Sequence, residues 1–123
     1  TAGKNDTSFI EHLIKENDVI GFDEAEFFGE EVYRLLKLFE QNGTDKIFIT
    51  CGLDMDSEGE PFGIMPRLMA IATEIIKLHA VCENCFVPAN ISFSMVEKKA
   101  QILVGGKDKY KALCWRCAAA ERK

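Results

Sequence analysis

The sequence predicts an α/β protein with a small cysteine-built appendage, and three observations lead there. Apolar residues along 8–51 change period in the order helix, strand, helix, strand, which is how a parallel sheet with crossover helices is built. A polar stretch punctuated by glycine, 52–63, follows the second strand, at the carboxyl end where open α/β sheets bind ligands. Two matched cysteine pairs, Cys82-x-x-Cys85 and Cys114-x-x-Cys117, close a second region, with 28 residues between Cys85 and Cys114.

The bulk properties agree. The 123 residues make one domain, or a small domain with an appendage, and 47% hydrophobic with 28% charged residues is a globular composition. We place the boundary near residue 73, with 1–73 as part of an α/β core and 74–123 as a metal-binding domain. No apolar run approaches the roughly 18 residues of a membrane span. Fifteen basic against twenty acidic residues leave a net charge of −5, which argues against direct nucleic-acid binding. The chain opens at Thr1 rather than Met, as a processed protein or part of a longer one would.

Ser8-Phe9-Ile10-Glu11 reads as a capping box opening a helix with Phe9, Ile10, Leu13 and Ile14 on one face. The run 18–22 is a buried strand ending abruptly in acid. Val32, Leu35, Leu36 and Phe39 recur at helical spacing, and Asn42-Gly43 supplies a stop. The run 46–51 is a second buried strand, with Cys51 as a small buried hydrophobe. Pro66 suits the first turn of a helix reaching about Ala72. The β-branched Ile75 and Ile76 predict a strand over 75–81 entering the first cysteine pair. Between the pairs, 90–96 and 101–104 read as short strands, with Gly105-Gly106 as a turn. His79 reads as a packed or surface residue.

A two-residue gap lets both thiolates of a pair face one ion, and two pairs complete a tetrahedral sulfur site suited to zinc. Four thiolates fill the shell, so Cys82, Cys85, Cys114 and Cys117 predict a structural metal rather than a catalytic one. Disulfides are the alternative, but an acidic chain with an odd fifth cysteine and no signal peptide fits the cytoplasm or another reducing compartment, such as an organelle matrix. Iron–sulfur ligation uses different spacings.

The run Ile20-Gly21-Phe22-Asp23-Glu24-Ala25-Glu26-Phe27-Phe28 has the Walker B form, an apolar strand ending in paired acids. By itself it could equally be a solvated acidic turn. In order along the chain come Gly52-Leu53-Asp54, Glu60-Pro61-Phe62-Gly63, Lys77-Leu78-His79-Ala80-Val81-Cys82, Val104-Gly105-Gly106-x-Asp108-x-Tyr110, and the last two cysteines. Over roughly 18–117 this series resembles the zinc-containing thymidine kinases of the cytosolic and bacterial type. The resemblance implies an incomplete RecA-like P-loop parallel sheet plus a small zinc-ribbon-like lasso domain that closes over thymidine, in a family that commonly forms tetramers. By the same resemblance, Glu24 matches the general base on the 5′-hydroxyl and Asp23 the carboxylate for Mg2+. Phe27, Leu53 and Phe62 match apolar residues around the nucleoside, and Tyr110 a lasso tyrosine. The backbone of Leu103, Val104 and Gly105 matches the segment that hydrogen-bonds the base edge. Phe28 reads as a core residue.

Departures from that pattern fall at functional positions. The glycine-rich phosphate cradle has no counterpart; Thr1-Ala2-Gly3-Lys4-Asn5 lacks its first glycine and its Ser or Thr. Mg2+ and ATP therefore enter only with an amino-terminal segment that supplies the cradle, and the chain alone should not phosphorylate thymidine. Glu26 stands where the family usually has Gln, a third acid beside Asp23 and Glu24. Ser57-Glu58 replaces a Phe-Arg or similar pair, and the segment 90–95 lacks the family's basic residue. The expectations are a thymidine kinase-like chain or, alternatively, a non-catalytic homologue serving as a structural subunit of a larger assembly, its uncovered sheet closed by a longer parent chain or by protein partners. A zinc-ribbon nucleic-acid binder is the third and weakest.

Overall fold

The computed structural model describes residues 6–95 and 110–122. They divide into two compact units. One holds the described residues up to Asp54 together with Pro61–Ile75, the other Met55–Glu60 together with the described residues from Ile76 onward.

The first unit opens with helix α1, Thr7–Glu16. Its cap is Asp6, whose carboxylate accepts the Phe9 N–H at 3.1 Å, and not the predicted Ser8, which lies inside the first turn. Asp caps as well as Ser, and its position two residues earlier gains half a turn of helix. Ile10 and Ile14 are buried, while Phe9 and Leu13 lie toward solvent, so only half of the predicted apolar stripe reaches the core. At the other end the Lys46 ammonium donates to the carbonyls of Asn17, at 2.9 Å, and Lys15. A cation there offsets the negative end of the helix dipole.

Strand β1, Val19–Phe22, pairs in parallel with β2, Ile47–Thr50, in the register Val19↔Ile47 to Phe22↔Thr50. Helix α2, Glu30–Gln41, makes the crossover and stops at Gly43, whose φ of +74° suits glycine. This is the predicted α/β arrangement with a short parallel sheet. The inner sheet face presents Ile20, Phe22 and Phe48 to a core of Ile10, Ile14, Ala25, Val32, Leu36, Ile64, Met65 and Leu68. Phe28 packs edge-on against Phe22, centroids 5.5 Å apart, as its core reading predicts. Each such side chain contributes about 1.5–3 kcal/mol by leaving water. The outer face differs: Val19, Ile47 and Ile49 are each more than half exposed, although parallel sheets ordinarily have both faces covered. Helix α3, Met65–Ile71, carries Pro66 in its first turn as predicted and ends at Ala72.

The strand predicted over 75–81 does not form. These residues make no ladder beyond an isolated bridge, Val81↔Pro88, and Ile76 and Leu78 are 74% and 86% exposed. Strand propensity is realised only beside a neighbour, and the described residues supply one only at the far end, where the Ala89 N–H donates to Ala80 and Val81 bridges Pro88. Cys51, expected to be buried, is exposed, because its position follows the last residue of β2. His79 is a surface residue.

In the second unit β3, Ile91–Ser94, runs antiparallel to β4, Tyr110–Leu113, with Ile91 opposite Leu113 and Ser94 opposite Tyr110. Helix α4, Trp115–Glu121, follows. The β3 strand falls within the predicted 90–96; the predicted strand at 101–104 lies outside the described residues. Neither β4 nor α4 was anticipated. The core is small, formed by Cys82, Ala89, Ile91, Leu113, Cys114 and Ala118 with Met55 and Phe93 against it. Lys111 on β4 pairs with Glu121 on α4 at 2.8 Å, and that ammonium holds the Glu121 carboxyl below its ordinary value.

Candidate functional site

In the second unit the four cysteine sulfurs all lie within 4.8 Å of one another, and the Cys85 and Cys114 Sγ atoms are 3.6 Å apart. Sulfurs about 2.3 Å from a tetrahedral zinc sit roughly 3.8 Å from each other, so the cluster has the dimensions to hold such an ion. The backbone builds it. The Phe86 N–H donates to the Cys82 carbonyl at 2.9 Å and the Cys82 N–H to Val87 at 2.7 Å, a tight loop that needs the left-handed φ of +67° at Phe86. Cys114 caps α4, its sulfur accepting the Cys117 N–H at 3.5 Å. Asn90 accepts the Trp115 N–H at 3.1 Å, and Glu83 the Ala112 N–H at 2.8 Å, tying both pairs to the β3–β4 hairpin.

These surroundings divide the thiols. Burial opposes ionisation of Cys82, yet backbone N–H groups of Cys114, Cys85 and Asn84 outweigh it and bring the thiol from 9.0 down to about 6. The Cys117 N–H likewise lowers Cys114 against the effect of burial. Cys117 is pushed up to about 12, by Cys114 first, then by burial and the other two sulfurs. Sulfurs this close cannot all ionise without a cation among them. The donor set and spacing fit a metal-thiolate centre, and all five cysteines are free thiols.

In the first unit the acids lie just past β1. Asp23 and Glu24 are exposed, and the Asp23 carboxylate accepts the Glu24 N–H at 2.9 Å. Glu24 adopts φ 49° and ψ 49° ahead of a 3-10 turn, Ala25–Phe27. A non-glycine residue there costs roughly 1–2 kcal/mol, and such strain gathers at functional positions. The turn is fastened to the end of β2: Cys51 N–H donates to Phe22 and Ala25 N–H to Cys51, both at 2.9 Å. Phe27 and Phe62 meet edge-on with centroids 5.4 Å apart, Phe62 buried and Leu53 largely exposed. The structure therefore gathers Asp23, Glu24, Phe27, Leu53 and Phe62 within one unit. Tyr110, half-buried at the start of β4, belongs to the other unit. Leu103, Val104 and Gly105 lie outside the described residues.

The third acid, Glu26, parts from the exposed pair. It is buried, and its carboxylate accepts the Leu53 N–H at 3.3 Å; its sequence signal was its place at Gln in an otherwise matching motif. Within 55–60, Asp56 is also buried and accepts the N–H groups of Glu58 and Glu60 at 2.8 and 2.9 Å. Ser57 is 8% exposed, and its hydroxyl has no hydrogen-bond partner among the described residues. No described helix is long and apolar enough to cross a membrane.

Comparison with known proteins adds ancestry to this geometry. The pattern defining the thymidine kinase family matches residues 2–118. A thymidine kinase of Bacteroides thetaiotaomicron is 42% identical over 102 residues, covering 83% of this chain and 50% of the relative. One from Coprothermobacter proteolyticus is 40% identical over 115 residues, covering 89% of this chain and 57% of the relative. The chain spans about half the length of the curated relatives it matches.

Proposed function

The chain belongs to the thymidine kinase family, and from that premise we propose that it carries the nucleoside-side half of a thymidine kinase site, steadied by a structural zinc. The reaction in view is transfer of the ATP γ-phosphoryl group to the thymidine 5′-hydroxyl. The carrying observation is the acid turn: Glu24 is held in a strained left-handed conformation beside Asp23, on the same unit as the Phe27–Phe62 pair.

In this reading the Glu24 carboxylate accepts the proton of the 5′-hydroxyl as that oxygen attacks. Phe27, Phe62 and Leu53 offer apolar surface to thymine and its sugar within the first unit. Asp23 would hold Mg2+, which when bound neutralises phosphate charge. Cys82, Cys85, Cys114 and Cys117 hold zinc with no open position, so the metal shapes the fold and takes no part in transfer. Their free thiols favour a reducing compartment, the cytoplasm first.

Nothing in the 123 residues supplies a Gly-x-x-x-x-Gly-Lys-Ser/Thr cradle. The chain by itself binds nucleoside without turning over ATP, because phosphoryl transfer relies on that cradle for positioning. Calorimetry with thymidine tests the reading: a saturable heat that Phe62→Ala abolishes supports it, and the absence of any heat with well-folded protein ends it.

A second reading, a non-catalytic family member built into a larger assembly, is favoured by the uncovered apolar face of Val19, Ile47 and Ile49. It requires a covering chain, either another protein or the remainder of a longer parent, or further copies in the tetramer the family commonly forms. Sedimentation as a stable monomer without thymidine binding would count against both readings.

A further inference from the structure

Glu26 is 6% exposed and has no role in the reading above. Burying a carboxylate is costly unless hydrogen bonds compensate, so its position calls for an explanation. Three successive ties join the acid turn to the end of β2. Cys51 N–H donates to Phe22, Ala25 N–H donates to Cys51, and Leu53 N–H donates to the Glu26 carboxylate. The first two are the backbone ladder running on past the sheet. The third is made by a side chain, and it reaches the residue next to Gly52.

Two glycines make room for it. A Cβ on Gly52 would overlap the Glu26 Oε1 atom and stand 3.1 Å from both Ala25 N and Met65 Sδ. A Cβ on Gly63, where φ is +53°, would overlap the Glu26 carbonyl oxygen. Glu26 is thus gripped on its side chain by the segment carrying Leu53 and on its backbone by the segment carrying Phe62.

We propose that Glu26 is a positioning residue, a buried latch that sets the acid turn bearing Asp23 and Glu24 against the two segments bearing Leu53 and Phe62. The role rests on the nucleoside-site reading. Its requirement is an oxygen acceptor rather than a charge, so an amide at this position serves as well as a carboxylate.

The test compares the unsubstituted chain with Glu26→Gln and Glu26→Ala, reading amide hydrogen exchange at Leu53 and thymidine affinity by calorimetry. Glu26→Gln should keep Leu53 protected and keep its affinity close to that of the unsubstituted chain. Glu26→Ala should release the Leu53 amide and weaken thymidine binding about tenfold, while the amides of Val32 and Leu36 stay protected. Should Glu26→Ala fail to fold, Gly52→Ala disturbs the same contact from the opposite side with the carboxylate in place, and the same two readouts apply. A Leu53 amide that exchanges freely in the unsubstituted chain overturns the latch. Loss of Leu53 protection without loss of affinity, or failure of Glu26→Gln to restore affinity, overturns its positioning role. A protected Leu53 in an unsubstituted chain that binds no thymidine overturns the nucleoside reading and the positioning role with it, leaving the latch as structure only.

Discussion

The two units reach order by different means. In the first, α1, α2 and α3 cover one face of a two-stranded sheet with aliphatic and aromatic side chains. In the second, two of the six buried core residues are cysteines, and Leu113 and Ile91 are its large apolar members. A core that small gives little stability through area alone, and an ion held by the four cysteines would take over the work of missing apolar surface. The contrast teaches that one part of the chain draws its order from apolar packing, while the other is built as a cysteine cluster with the dimensions to draw its order from a metal.

Removing a ligand should therefore break the comparison most sharply. Cys82→Ser is expected to abolish stoichiometric metal binding and unfold β3, β4 and α4, since structural zinc in small domains contributes about 10–16 kcal/mol. Amide exchange should show α1 and α2 unaffected. The reciprocal change, Leu36→Ala, opens a cavity in the first core and should cost about 2–5 kcal/mol by denaturant unfolding, with zinc content unchanged.

Acidity gives a third, smaller handle. The folded Cys82 thiol sits at about 6 against an ordinary 9.0. Its thiolate therefore favours the folded unit fully above pH 9, and that contribution disappears as pH falls through about 6. Cys117, raised to about 12, acts oppositely: its neutral thiol favours the folded unit below 9.0, an effect lost as pH rises through about 12. Denaturant unfolding of the zinc-loaded protein should therefore show the second unit losing stability as pH falls from 9.0 through about 6. Second-unit stability unchanged over that range would remove the electrostatic basis for the site. The smallest effect belongs to the helix cap: Asp6→Ala should cost about 1 kcal/mol, read as a lower melting temperature of the first unit alone.

The sequence made the first unit's plan and the second unit's chemistry legible for separate reasons. Apolar runs at 18–22 and 46–51 bracket a helical pattern, and their shortness and β-branched content distinguish them from it. Cysteine spacing is equally explicit. The misses arise where context decides. Ser8 and Asp6 are both competent caps, and only the backbone path selects Asp6. Residues 75–81 have strand composition, but among the described residues their pairing stops at the single bridge Val81↔Pro88. The helix Trp115–Glu121 is short and is capped by Cys114, a residue whose spacing was read for metal rather than for a helix start. Glu26 was read as one of three crowded acids, because nothing in the residue order reveals that Gly52 and Gly63 leave space to turn it inward. Asp23, Glu24, Phe27, Leu53 and Phe62 were singled out through family likeness, and the structure adds their common unit and the strain at Glu24.

One measurement bears most directly on the division between apolar packing and metal: elemental analysis of reduced protein, followed by residue-resolved hydrogen exchange before and after chelation. The account predicts one zinc per chain, and on its removal a loss of protection in β3, β4 and α4 while α1, β1, α2 and β2 keep theirs. Protein without stoichiometric zinc, or both units losing protection together, would contradict it.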